Sequence, residues 1–329
     1  MVLNLGKYIT TLLNTAYFID KIIDKQLLIR KKFNKKRKAL SPYSLMYEPN
    51  IDNFDNDFNL FENNNRFLNF YSTYGINLAL KEYGIKKILK KQGFENILYK
   101  INKNDYTHTL SIYNEEINSD HLISQLVITL DTNICFSYKN CKSMTIEWLN
   151  LQDYRKVFTK ERMKLPGQRF PGLGFGLLAF ELIIQIARRL NVRYLVNTPN
   201  HFHNAYIYSN YFSFRNPNNK ACIDILISEF EGLSLASLSW LIYNETLIET
   251  NNKKTFKWTP DIMIMPVYRY KDFNNYFKTK EYQDRYKLFL SSHSYKIDSK
   301  KFYKNKDKFP KMILKDIEEY KKRETLRFI

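Results

Sequence analysis

The chain has 329 residues, enough for one large hydrophobic core or two smaller ones, and its formal net charge is +19. No uncharged apolar segment reaches the roughly 18 residues that a membrane-spanning helix needs. The apolar run after Lys7 is interrupted by Asn14 and Asp20, so it does not read as a signal peptide. We therefore expect a cytoplasmic protein with no transmembrane segment.

The net charge and the spacing of the cysteines limit the kinds of partner that this protein can have. A strongly basic protein attracts polyanions such as nucleic acid, anionic lipid or phosphorylated cofactors. A basic run at residues 30–38 is either such a contact or the exposed end of a helix. Cys135, Cys141 and Cys222 lack metal-ligand spacing, and no His-x-Glu motif or carboxylate cluster is present. We expect reduced thiols and no bound metal.

Hydrophobic periodicity predicts an N-terminal helical region followed by alternating strands and helices. A helix is expected over residues 3–29 and another over residues 76–92, the latter ended by Gly93. The remaining predicted elements are strands at 107–113, 121–131 and 143–151, a helix at 172–190, a strand at 193–197, a helix at 199–210, a strand at 223–230, a helix at 233–240 and a lysine-rich helical tail. We divide the chain into an N-terminal helical extension (1–100), a core (101–230) and a C-terminal helical, basic extension (231–329).

A glycine-rich loop at residues 165–176 lies between a predicted strand and the most apolar predicted helix. Four of the nine glycines fall here: Gly167, Gly172, Gly174 and Gly176. Glycine allows a ligand to approach the backbone closely because it has no Cβ. Where such a loop leads into a helix, the first N–H groups are unpaired and the helix dipole is positive. The loop therefore predicts an anion site, most often for phosphate.

Within this loop, Arg169-Phe170-Pro171-Gly172-Leu173-Gly174 fits the pattern Arg/Gln-x-x-Gly-x-Gly/Ala. With the element order around it, residues 105–230 resemble the acetyl-CoA-binding segment of the GCN5-related N-acetyltransferase superfamily. The resemblance implies an α/β (α+β) fold: a mixed, mostly antiparallel sheet flanked by helices and splayed at the acyl-CoA site, here with helical extensions. The cofactor would be acetyl-CoA or another acyl-CoA.

The same resemblance implies a set of cofactor-binding residues. They are Leu149, Leu151, Arg169, Phe170, Gly172, Leu173, Gly174, Phe175, Gly176, Asn197 and Asn204. Backbone N–H groups of the loop would hold the diphosphate of CoA, and the pantetheine arm would lie between the strands before and after the helix. Pro171 departs from an ideal cradle because it has no N–H.

Tyr208 lies four residues after Asn204, on the same helical face, and by resemblance would protonate the departing CoA thiolate. Ser213 stands where the family has glycine, and Tyr206 and Tyr211 compete for the role. The candidate bases for the acceptor amine are Glu147, Asp153, His201 and His203; we select Glu147 and His203. A packed core tyrosine and attack by an already neutral amine remain as alternatives.

The sequence and the resemblance support two alternative functions. The first is acyl-CoA-dependent N-acyltransfer to an unidentified amine acceptor, by direct attack in a ternary complex. The alternative is a non-catalytic module of the same fold that binds nucleic acid or anionic surfaces through its basic face. Aromatic side chains interleaved with lysines in the tail, such as Tyr276 and Tyr282, could stack on bases or cover the core.

Overall fold

A computed structural model describes residues 40–47, 66–131, 141–268 and 271–326. Its strands are β1 (Ile97–Lys103), β2 (Thr107–Asn114), β3 (Leu122–Asp131), β4 (Ser143–Leu151), β5 (Tyr194–Asn197), β6 (Ser213–Phe214), β7 (Leu247–Glu249), β8 (Met263–Pro266) and β9 (Tyr295–Ile297). The helices are α1 (Pro42–Met46), α2 (Thr73–Glu82), α3 (Ile85–Lys91), α4 (Gly176–Arg189), α5 (Phe202–Tyr208), α6 (Pro217–Glu229), α7 (Leu235–Tyr243), α8 (Lys271–Lys278), α9 (Lys280–Ser292), α10 (Ser299–Lys304) and α11 (Lys311–Leu326). A 3₁₀ turn spans Lys306–Lys308.

The main sheet has seven strands in the order β1-β2-β3-β4-β5-β8-β6. Every neighbouring pair is antiparallel except β4 and β5, which run parallel because α4 connects them as a crossover. A separate two-stranded sheet joins β7 to β9. The predicted fold class, a mixed and mostly antiparallel sheet flanked by helices, is confirmed.

The parallel pairing of β4 with β5 covers only the first half of β4. It runs from Ser143 opposite Tyr194 to Ile146 opposite Asn197, where β5 ends. Beyond this point, residues 147–151 of β4 pair only with β3. The register of that pairing shifts by one residue at Glu147, which has no partner in β3 and forms a β-bulge. The sheet therefore opens along one edge of β4, immediately after the bulge.

The core lies between the sheet and the helices on its faces. The apolar stripe of α4, including Leu178, Ile183 and Ala187, is buried against it. The C-terminal helices pack on the same core: Tyr286 of α9 donates to Asp224 of α6 at 2.8 Å. Asp316 of α11 accepts hydrogen bonds from two serines at the start of α7.

Three sequence predictions differ from the structure. Residues 223–230, predicted as a strand, belong to α6, because Asn216 caps a helix that Pro217 begins. A short apolar run does not by itself separate a buried strand from a buried helix. The helix predicted over 76–92 is two helices, joined at Gly84. The sheet also extends beyond the proposed core, since β8 lies in the region 231–329 and β1 begins at Ile97.

The cysteine prediction needs one correction. Cys222 is a free, buried thiol, and burial raises its pKa to about 12. Cys141, by contrast, is disulfide-bonded. The predicted helix over residues 3–29 and the basic run at 30–38 lie outside the described residues. Among the helices that are described, none has the length and apolarity needed to cross a bilayer.

Gly75 should be essential for packing α1 against α2. A Cβ at this position would lie 2.0 Å from the carbonyl oxygen of Leu45, a backbone atom that cannot move away alone. We expect Gly75→Ala to lower the free energy of unfolding by about 2 kcal/mol or more, measured by urea denaturation. Gly176→Ala is the matched control, because its Cβ would meet only Leu151 Cδ1 at 4.0 Å. Equal stability of the two variants would contradict this packing.

Candidate functional site

Three consecutive carbonyl groups hold the glycine-rich loop in place. The carbonyls of Pro171, Gly172 and Leu173 each accept a hydrogen bond from a group outside the loop. The three donors are the backbone N–H of Asp153 at 2.8 Å, Nη1 of Arg162 at 3.3 Å and Nε2 of Gln92 at 2.9 Å. Donors from three separate segments thus fix the path of the loop.

This arrangement determines where the amides of the loop point. In a planar trans peptide, the N–H of one residue is directed opposite to the carbonyl of the residue before it. The N–H groups of Gly172, Leu173 and Gly174 are therefore directed away from the three donors. Among the described residues, none of the amides from 169 to 176 donates to a protein acceptor. The loop presents unpaired backbone donors, as an anion site requires.

The loop passes directly over the end of β4. A Cβ on Gly172 would lie 3.5 Å from the carbonyl oxygen of Leu151, and one on Gly176 would lie 4.0 Å from Leu151 Cδ1. Gly174 has a φ of +80°, a left-handed conformation that side chains disfavour. No side chain caps the N-terminus of α4, which begins at Gly176. The positive end of a helix of 14 residues thus lies beside the opened edge of β4.

A buried ion pair ties the end of β4 to the end of α3. The carboxylate of Asp153 is fully buried and contacts Arg155 Nε and Lys156 Nζ, each at 3.1 Å. Burial alone would raise the pKa of Asp153, but hydrogen bonds from Arg155 and Lys156 hold it below its usual range. Arg155 also donates to the carbonyls of Gln92 at 2.7 Å and Gly93 at 2.9 Å. Asp153, one of the candidate bases, is therefore a structural anchor for the segment that holds the loop.

Arg162 is a candidate binding residue that the sequence analysis missed. Its guanidinium is exposed, with Nη2 3.5 Å from the Cβ position of Gly174. In the part of the chain that the structure describes, it pairs with no carboxylate. Arg169, which was predicted, is instead exposed and paired with Asp120 at 3.3 Å, and its guanidinium lies over the ring of Phe170. No motif marks Arg162, because it comes from an irregular segment.

Asn197 closes the parallel pairing between β4 and β5. Its Nδ2 donates to the carbonyl of Ile146 at 2.9 Å, at the point where the two strands part. The side chain is only 7% exposed, and its Oδ1 is buried with no hydrogen-bond partner in the described structure. Glu147 is exposed at the bulge, and the neighbouring Trp148 is 49% exposed. Polar and aromatic groups thus surround the opening, whereas the side chains of Leu149 and Leu151 face the interior.

Tyr208 lies at the end of α5 with a hydroxyl that makes no hydrogen bond to the described protein. Its ring packs on Phe212 at 6.0 Å, and Phe212 packs on Phe180 of α4 at 5.6 Å. Burial raises the pKa of Tyr208, so the hydroxyl keeps its proton at neutral pH, as a proton donor must. Asn204, one turn earlier on α5, is half-buried. The predicted proton donor is therefore near α4 and has an unengaged hydroxyl.

The two histidines of this segment differ in accessibility. His203 is 3% exposed, and burial, with a smaller contribution from His201, lowers its pKa to about 3. His201 is half-buried, and its Nε2 is 2.7 Å from where a Cβ on Gly167 would be. The two rings are parallel at 5.3 Å. His203 stays a predicted base. His201 is more exposed than His203 and contacts the loop at Gly167, and these two features favour His201 as the base.

Comparisons with known proteins add little. No family model matches the sequence, and no curated protein matches it. Among solved structures, 62% of the chain aligns with 84% of a chain in "The crystal structure of KacTA-DNA complex", at 11% identity and a TM-score of 0.25. A TM-score this low supports no conclusion about fold or function. Within the described residues, no group of three or more His, Cys, Asp or Glu side chains is arranged to hold a metal ion.

Neutral, buried His203 should make the protein sensitive to acid. Its pKa is about 3 in the folded state and near 6.5 when unfolded, so the unfolded state binds the extra proton between these values. Stability is then full above about pH 6.5 and falls by about 1.4 kcal/mol per pH unit below it, down to about pH 3. His203→Gln should reduce this slope in urea denaturation between pH 7 and pH 4. His121→Gln, on an exposed turn, is the control; an unchanged slope in His203→Gln would contradict this account.

Proposed function

We propose that the protein is an acyl-CoA-dependent N-acyltransferase acting in a ternary complex. The observation that carries this proposal is the unpaired run of amides from residue 169 to 176, beside a β4 edge that β5 leaves free. Coenzyme A has a diphosphate joined to an extended pantetheine arm with amide groups. A phosphate cradle next to an open strand edge fits that combination.

The diphosphate would be held mainly by backbone groups. The N–H groups of Gly172, Leu173 and Gly174, with the N-terminus of α4, supply donors and positive partial charge. Arg162 adds a full positive charge next to Gly174. Pro171 has no N–H and so would give no hydrogen bond to the diphosphate. Its carbonyl accepts from Asp153 and helps to hold the loop in place.

The pantetheine arm would extend along residues 147–151 of β4, where the backbone has no strand partner on the β5 side. This would bring the thioester towards the bulge at Glu147. The acceptor nitrogen attacks the thioester carbonyl, and backbone N–H groups near Leu149 and Leu151 stabilise the oxyanion. The C–S bond then breaks, and Tyr208 gives its proton to the thiolate.

The proton balance requires a second group. The attacking amine loses a proton as the new C–N bond forms, and Tyr208 must regain the one that it gave. His201 or Glu147, each with access to solvent, would take the first proton directly or through water. The acceptor itself is open, although the positive charge of the chain favours an anionic acceptor over a polyamine.

Binding of acetyl-CoA is the first test. Isothermal titration of the full chain should show binding that Gly172→Asp abolishes, because a carboxylate would occupy the anion site. Arg162→Gln should weaken acetyl-CoA binding by about tenfold but leave pantetheine, which has no diphosphate, unaffected. Asn102→Asp, at an exposed position of β1, is the control for the added negative charge. Absence of acetyl-CoA binding at millimolar concentration removes the proposal.

Tyr208→Phe tests the chemistry separately from binding. The variant keeps the ring that packs on Phe212 but loses the proton donor. With any amine acceptor that supports CoA release, we expect turnover to fall about a hundredfold or more while acetyl-CoA affinity is unchanged. Tyr206→Phe and Tyr211→Phe remove the hydroxyls of the two competing tyrosines, and both variants should keep full turnover if Tyr208 is the donor. Full activity in Tyr208→Phe would assign the proton transfer to another group.

Titration of the same variants with nucleic acid tests the non-catalytic alternative. The observation that supports this alternative is the net charge of +19. A polyanion-binding module would bind duplex or single-stranded nucleic acid with an affinity that falls steeply with salt. That binding would not depend on Gly172. Nucleic acid binding together with no response to acetyl-CoA would favour the alternative.

A further inference from the structure

An apolar cavity of about 100 Å³ lies between the helical layer and the sheet. It is enclosed by α2, α3 and α4 and by β2, β3 and β4. Leu126 and Leu151 contribute from the sheet, and Ala179, Leu182 and Ile186 from α4. Neither the diphosphate cradle nor Tyr208 uses this space, although Leu173 and Phe175 of the loop form part of its wall.

One end of the cavity is polar. Tyr71, Gln185 and Arg189 line it there. Gln185 already donates to Glu181 at 2.9 Å, whereas Tyr71 and Arg189 lie next to each other. The Tyr71 hydroxyl is buried beside the Arg189 guanidinium, and its own proton has no acceptor within the described structure. A buried hydroxyl proton without an acceptor costs free energy, so a ligand that accepts a hydrogen bond from it would gain affinity.

Arg189 supplies the charge at this end. Its Nη2 donates to the carbonyl of Leu40 at 3.3 Å, and no described carboxylate pairs with it. It lies close enough to Tyr71 to oppose the rise in the pKa of the hydroxyl that burial causes. Arg189 is half-buried, so the polar end reaches the surface.

We propose that this cavity binds a small aliphatic carboxylate, with its chain among the leucine and isoleucine side chains and its carboxylate on Arg189 and Tyr71. A guanidinium has five donors and binds a carboxylate through two of them, and the tyrosine hydroxyl adds a third. A dry cavity of about 150 Å³ accommodates benzene, which has six carbons, so this smaller cavity of about 100 Å³ suits a chain of about four carbons.

The proposal does not depend on acyl transfer. The cavity and the diphosphate cradle involve different donors, and Arg189 belongs to neither the loop nor the proposed catalytic groups. Occupancy would nevertheless contact Leu173 and Phe175, and so the back of the loop. Acetyl-CoA titration tests the proposed function, and carboxylate titration tests the cavity, so either can fail alone.

The experiment is a calorimetric titration of the full chain with butyrate, hexanoate and octanoate, each compared with the alcohol of equal length. We expect butyrate to bind more tightly than butanol, and octanoate, which is too long for the cavity, to bind most weakly of the three carboxylates. Arg189→Gln should reduce carboxylate affinity about tenfold or more while leaving alcohol affinity unchanged. Ala179→Leu fills the cavity and should remove binding of both. Arg188→Gln is the matched control, one residue away and outside the cavity lining.

Circular dichroism would confirm that each variant is folded, and the Arg189 and Arg188 pair carries the test if Ala179→Leu is not. Two results would overturn the proposal. No binding of any carboxylate or alcohol to the folded wild-type chain at millimolar concentration would mean that the chain itself fills the cavity. Equal carboxylate affinity in Arg189→Gln and the wild type would mean that Arg189 does not bind the carboxylate.

Discussion

The site depends on how three carbonyls of one short loop are held. Because Pro171, Gly172 and Leu173 accept hydrogen bonds from outside the loop, the amides that follow them are directed the other way. Gly174 and Gly176 are exposed and Gly172 is half-buried, so these amides next to a helix N-terminus are open to a partner from outside the chain. An anion is the partner that would satisfy them all at once.

The second constraint is the length of β5. Because this strand ends at Asn197, β4 keeps a free edge over residues 147–151, and the bulge at Glu147 marks where the edge begins. A longer β5 would close the edge with strand hydrogen bonds, and the glycine-rich loop would then have no open strand edge beside it. The amide of Asn197 ends the pairing by taking the carbonyl of Ile146 for itself.

Positive charge acts at two scales in this protein. The net charge of +19 produces a general attraction for anions that salt screens. Arg162 and Arg189 act locally, each at a defined geometry, and each without a carboxylate partner among the described residues. Most lysines would contribute only to the first effect, whereas these two arginines carry the ligand proposals.

Local pattern in the sequence determined much of the sheet and the position of the site. Strand periodicity predicted β2, β3 and β4 nearly to the residue, and the glycine spacing marked the loop before α4. The segment 223–230 was assigned wrongly because its apolar run fits a strand and a helix equally well, and only the cap at Asn216 and packing decide between them. Gln92 and Leu173, 81 residues apart, illustrate what only the tertiary structure decided. Side chains that hold a loop from distant segments leave no periodic signal, so Gln92, Arg162 and the Arg189 end of the cavity emerged only from the folded chain.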